Sequence, residues 1–214
     1  MQMSTSQIVW LVIGVLAALG VVGIVGLVVL WGTASNPGRS AVRKEVPAEE
    51  IDRYIERGAA FAIVLTERTP LSRREVWDRV VNVEYMSSLP LLSGPVWSGD
   101  DVIPGATPVV PVGAARTMSG TLMSVSERVT HVEDEAELTL TGTAVSFPLA
   151  IHSFAERWTI TDGPRGTLVV TWAIAGSPRW VGWLPWRWAV PFVRPILGFV
   201  LRHILRLKPF RSVR

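Results

Sequence analysis

Four side chains in the middle of this chain have the types that proton transfer requires: Glu127, His131, His152 and Glu156. Carboxylates and imidazoles held in a dry site shift their pKa values and can act as a general acid and base. The same groups could instead orient the polar head of a bound ligand. They could also pair with Arg116, Arg128 or Arg157, or lie in water at a strand edge. Their spacing matches no compact metal-ligand motif, HExxH is absent, and there is no cysteine to supply a thiolate. No phosphate-binding loop, dinucleotide fingerprint or serine nucleophile elbow occurs, so neither a metal nor a cofactor is expected.

Whether these groups meet depends on the strands that carry them. From Val96 to Ile174 apolar residues recur with a period of two. Strands are predicted at 95–102, 113–123, 125–133, 136–145, 150–162 and 166–176. Turns are predicted at Glu133-Asp134-Glu135 and at Asp162 to Gly166. Alternation puts Leu168, Val170, Trp172 and Ile174 on one face. The matching sets are Val125, Glu127, Val129 and His131; Leu138 and Leu140; and His152, Phe154, Glu156, Trp158 and Ile160. A slip of one residue in register would turn any of these sets over.

An apolar strand precedes the meander at 59–66. Ser72 and Glu75 then fit a capping box, with Leu71 and Val76 as its hydrophobic staple. Pro47 to Arg57 reads as a short helix, serving as a spacer. Near the C-terminus, Ile196, Leu197, Val200, Leu201, Ile204 and Leu205 form the stripe of a last helix, with Pro191 and Pro195 at its start.

Charge is unevenly distributed. The net charge is +3, yet residues 178–214 hold eight basic side chains and no acidic one. Trp180, Trp183, Trp186 and Trp188 are interleaved with Arg179 and Arg187. Aromatic and basic residues together suit an anionic membrane surface better than nucleic acid. Trp180, Trp183, Trp186, Arg187 and Trp188 are the candidates for that contact.

Residues Ile8 to Leu30 are 23 consecutive residues without a charged side chain. At ~1.5 Å per residue such a helix spans the ~30 Å hydrocarbon core of a bilayer. No basic residue precedes the run, so a cleaved signal peptide fits poorly. Arg39, Arg43 and Lys44 follow it, which places the C-terminal part on the cytoplasmic side of a cell membrane crossed once. The expected organisation is an anchor (1–31), a juxtamembrane linker with a short helix (32–58), and one domain (59–214). About 180 residues after the anchor suffice for a single core.

The segments TERTPLSRREVWDRVVNVEYMSSL, PVGAARTMSG with its Gly113-x-x-Arg116 entry, SERVTHVEDEAELTL, FAERWTITDGPRGTLVVTW and the terminal ILRLKPF, taken in order, resemble the START-like or SRPBCC superfamily. The likeness covers about residues 59 to 208 and is nearest the polyketide cyclase/dehydrase and lipid-transport branch. It implies an α+β helix-grip fold, with a curved antiparallel sheet of about six or seven strands wrapped on a long C-terminal helix. It also implies an apolar cavity, to which Leu138, Leu140, Phe154, Trp158, Val170, Trp172, Val200 and Ile204 would contribute. The expected partners are a bilayer and a hydrophobic small molecule, with no nucleic acid; oligomeric state stays open. The expected function is binding or transfer of that molecule, such as a lipid. The alternatives are a cyclase or dehydratase using the His and Glu groups, and a membrane-tethered protein-interaction module.

Overall fold

The computed structural model describes residues 4–34, 41–88, 92–99, 101–103, 107–120, 124–146, 151–179, 182–183 and 185–206. The chain begins with α1 (Thr5–Ala34), a single uninterrupted helix. Its stretch Trp10–Val29 is long and apolar enough to cross a bilayer, and none of it is buried against the rest of the chain.

Seven antiparallel strands form one open sheet: β1 (Phe61–Thr69), β2 (Leu92–Ser98), β3 (Ala115–Gly120), β4 (Ser124–Glu133), β5 (Glu137–Val145), β6 (Ile151–Asp162) and β7 (Leu168–Pro178). The order is β1-β7-β6-β5-β4-β3-β2, so the first strand pairs with the last. The predicted turns close the β4–β5 and β6–β7 hairpins, with Glu135, Arg165 and Gly166 in left-handed backbone. The edge strand β2 starts three residues ahead of the predicted 95–102, pairing Leu92 with Gly120.

Between β1 and β2 the chain crosses the inner face of the sheet through α3 (Arg73–Val81) and α4 (Glu84–Ser87). Ser72 and Glu75 form the predicted capping box: the Ser72 hydroxyl accepts from the Glu75 amide, and the Glu75 carboxylate accepts from the Ser72 amide. Ser72→Ala should therefore cost about 1 kcal/mol in a denaturant titration. Val76, Val80, Val81 and Tyr85 enter the main core together with Leu138, Leu140, Trp158 and Val170 of the sheet. The last helix, α5 (Val190–Arg206), closes this core with Leu201, Ile204 and Leu205. This arrangement is a helix-grip fold.

The segment read from sequence as a spacer belongs to the fold from Ala41 onward. Ala41 bridges Ala144, and the amides of Arg43 and Lys44 both donate to the carbonyl of His152. A 3-10 turn (Ala48–Glu50), α2 (Ile51–Arg53) and a π-turn (Tyr54–Gly58) then cross the outer face of the sheet. There Val46, Ile51 and Ile55 bury themselves on Ala155, Ala173 and Ala175, whose small side chains leave room for them. The Val46 amide donates to Thr141 Oγ1 at 2.8 Å, Tyr54 Oη meets Ser153 Oγ at 2.8 Å, and Arg157 pairs with Asp52. This strap covers part of a sheet face that would otherwise be open to water.

Candidate functional site

Between the inner face of the sheet and α5 lies a cavity of about 490 Å³. One end of the sheet forms its rim: Phe61 starts β1, Ile151 starts β6, Val145 ends β5 and Pro178 ends β7. Val190, Val193, Leu197 and Val200 line it from α5. Two of its aromatic rings rest against glycines on neighbouring strands. Phe61 lies over Gly176 and Phe154 over Gly142, and a Cβ added at either glycine would come within 3 Å of the ring residue. Gly142→Ala should push Phe154 toward the cavity, cost about 1–3 kcal/mol of stability, and reduce uptake of a hydrophobic dye such as Nile red. Fluorescence titration checks this.

Three charged side chains interrupt the otherwise apolar wall: Arg116 on β3, Glu127 on β4 and Glu156 on β6. Arg116 and Glu127 are 0% exposed and Glu156 is 3% exposed. Arg116 Nε and Nη2 both donate to Glu127 Oε2, at 3.0 and 2.7 Å, and Nη2 also donates to Glu156 Oε1 at 3.1 Å. Arg116 thus joins carboxylates from two strands, β4 and β6, that have β5 between them. Trp97 lies under the guanidinium at 5.6 Å, a cation–π contact. Trp158 Nε1 donates to Glu156 Oε1, and its indole stacks on Trp172 at 4.7 Å.

Burial pushes the Glu127 carboxyl up to about 8; Arg116 offsets part of this, and the adjacent Glu156 adds to the rise. Burial alone would lower the pKa of Arg116, but the two carboxylates outweigh it and hold the guanidinium above its usual value. Three polar atoms of the cavity wall are buried without a hydrogen-bond partner: Arg116 Nη1, Glu127 Oε1 and Trp172 Nε1. Leaving such atoms unsatisfied costs about 1–3 kcal/mol each, so a ligand oxygen that reached them would gain that much in return.

Of the predicted acid–base groups, Glu127 and Glu156 meet in the cavity and the two histidines do not. A bulge between Val129 and His131 breaks the period of two. His131 is consequently exposed, and Val132 packs against the core in its place. A second irregularity between Ile151 and Ser153 puts Ile151 on the cavity wall and leaves His152 off it. Among the predicted lining residues, Phe154, Trp172, Val200 and Ile204 line the cavity. Leu138, Leu140, Trp158 and Val170 face the same way but lie deeper, where α3 and α4 fill the space. Trp183, Arg187 and Trp188 are exposed, whereas Trp186 is half-buried and lines the cavity. Trp180 lies outside the described residues.

Sequence reasoning had Arg116 only as a possible partner of the carboxylates. Its signal was the lone charge in ARTMSG, a strand otherwise of small and apolar residues. Among the described residues no cluster of acidic or histidine side chains could hold a metal ion.

No family model matches the chain, and no curated protein is similar to it. Among solved structures, the hypothetical protein jhp0584 of Helicobacter pylori is similar over 72% of this chain and 91% of its own, with 8% identity and a TM-score of 0.54. CalU16 of Micromonospora echinospora is similar over 68% of this chain and 76% of its own, at 10% identity and a TM-score of 0.47. DynU16, from the dynemicin biosynthetic locus, matches over 68% of this chain and 46% of its own, at 17% identity and a TM-score of 0.47. The first likeness is one of fold; the other two are too distant to bear on activity.

Proposed function

We propose that this protein is a membrane-tethered binding or transfer protein of the START-like type, for a hydrophobic small molecule with a neutral oxygen-bearing head. The observation that carries this reading is the set of unpartnered polar atoms in the apolar cavity. Arg116 Nη1 and Trp172 Nε1 are donors. Glu127, whose carboxyl is pushed up to about 8, holds its proton at neutral pH and has Oε1 free to donate it. The cluster then carries one cation, Arg116, against the carboxylate of Glu156. A carbonyl or hydroxyl suits this balance; a ligand anion would bring a second, unmatched charge into a dry site. The body of the ligand would gain ~25 cal/mol for each Å² of apolar surface buried.

The cavity volume of about 490 Å³ falls within the range typical of small-molecule sites, which argues against a module without a usable cavity. A cyclase or dehydratase would have to work with Glu127 and Glu156 as its acid–base groups, since neither histidine lines the cavity. The helix α1 tethers the domain, and Arg43 and Lys44 favour the cytoplasmic side. Protease treatment of sealed vesicles tests that side.

Native mass spectrometry of the full chain, purified from its host membrane in detergent, tests the binding reading. A co-purifying neutral lipid-like molecule supports it, and its loss in an Arg116→Met, Glu127→Leu, Glu156→Leu triple variant places the head at the cluster. Repeated preparations without any adduct, or with adducts equally abundant in the triple variant, argue against it.

A further inference from the structure

We infer that the outward face of α5, together with Trp183, rests in the headgroup layer of the bilayer that α1 crosses, so that the cavity opens onto lipid. This rests on the reading of α1 as a membrane-spanning helix.

The first observation is that α5 is apolar on two opposite sides. Leu197, Val200, Leu201 and Ile204 face the cavity and core. Phe192, Ile196 and Phe199 face outward, 79%, 64% and 57% exposed. With Trp188 at 77% they recur every three or four residues, which is the spacing of one helix face. Trp183, just before the helix, is 81% exposed. A helix that closes a soluble core keeps its outer face polar. This one carries aromatic rings there, including tryptophans of the kind that favour the membrane interface.

The second observation is charge. Arg187, Arg194 and Arg206 are exposed along the same segment, and residues 178–206 contain no acidic side chain. Anionic lipid headgroups supply the missing partners, at about 1 kcal/mol for each basic residue near the surface. A second copy of the chain, packed face to face on a two-fold axis, would set these arginines against their own equivalents. That contact is disfavoured.

The third observation is where the chain enters the domain. Ala41 bridges Ala144 at the end of β5, and its carbonyl accepts from Arg179 Nη2 at 2.7 Å, just after β7 ends. This is the end of the sheet where Phe61, Val145, Ile151 and Pro178 rim the cavity. The chain from Ala34, at the end of α1, to Ala41 can extend to at most about 25 Å. The rim and the start of α5 are therefore held close to the headgroups. Val193 belongs to both surfaces, lining the cavity while remaining 39% exposed. A ligand passing this residue would move between bilayer and cavity without crossing bulk water.

The chain contains no cysteine, so single labels can be placed cleanly. We would make Phe192→Cys, Ile196→Cys, Val21→Cys within α1, and Asp134→Cys at the far hairpin. Each full-length variant is labelled with a nitrobenzoxadiazole probe in phosphatidylcholine vesicles with and without phosphatidylglycerol. Doxyl-labelled lipid should quench positions 192, 196 and 21 several-fold more than position 134. Aqueous iodide should show the reverse order, and phosphatidylglycerol should strengthen lipid quenching at 192. If 192 and 196 follow 134 while 21 is quenched by lipid, α5 lies in water and the inference fails, with the anchor intact. If 192 and 196 are shielded from both quenchers, another protein surface covers them and the inference also fails. Neither readout depends on a bound ligand, so the outcome is separate from that of the mass spectrometry.

Discussion

An Arg116→Leu variant is expected to melt roughly 6–20 °C below the parent chain. Breaking a buried charge cluster costs about 3–5 kcal/mol, and each kcal/mol lowers the melting point by about 2–4 °C in a chain of this size. The cause is not the lost attraction alone. Glu127 and Glu156, 0% and 3% exposed, would face each other in an apolar cavity without their shared donor. Acid should relieve the defect, because a carboxylate left without its cation in a dry site is neutralised by a proton. The triple replacement Arg116→Met, Glu127→Leu, Glu156→Leu should recover most of the loss, since buried ionic clusters exchanged for apolar side chains are often neutral or stabilising. Differential scanning calorimetry of the full chain in detergent at acid and neutral pH checks all three outcomes. If the single and triple variants melt alike, the cluster does not act as a unit.

The second large effect is on pH dependence. The carboxyl of Glu127 lies at about 8 in the folded chain against 4.5 for an unperturbed glutamate. Between these values the folded state holds a proton that the unfolded state has released. The resulting stabilisation is fully present below about pH 4.5 and is lost progressively as pH rises to about 8. The slope is up to about 1.4 kcal/mol per pH unit from this one group. Glu127→Gln keeps a neutral side chain of the same shape and should flatten the curve within this window. Urea titrations from pH 5 to pH 8.5 test it; equal slopes for the two proteins would show that Glu127 is ionised in the folded state. The same proton bears on binding. Above about pH 8 the Oε1 donor becomes a second carboxylate, and affinity for a neutral acceptor head should fall with it.

Periodicity was sufficient for the architecture. An uncharged run of 23 residues, a capping box and six alternating stretches led to α1, α3 and the meander, because each depends on local pattern. The cavity was legible only in part. Phe154, Glu156 and Trp172 keep their alternation from the register of β6 and β7, and they line the cavity wall. The histidines failed at irregularities, which are set by how neighbouring strands meet and leave no mark in the composition of one strand. Depth failed too. Leu140 and Phe154 share a face, yet only contacts with distant helices decide that one is core and the other cavity wall. The strap was missed because Ala155, Ala173 and Ala175 look unremarkable until Ile51 and Ile55 are seen to need their small size.

That strap also constrains the order of assembly. It precedes every strand of the sheet in the chain, so it leaves the ribosome before them. Its partners lie far along the chain: Val46 awaits Thr141, and Tyr54 awaits Ser153 and Ser177. Contacts of such long range form slowly, and apolar surface waiting for them is prone to aggregate. Val46, Ile51 and Ile55 must remain uncovered until β6 and β7 have been synthesised. The last step in completing this domain is thus the capture of one of its earliest segments, and the nascent chain is most vulnerable just before it.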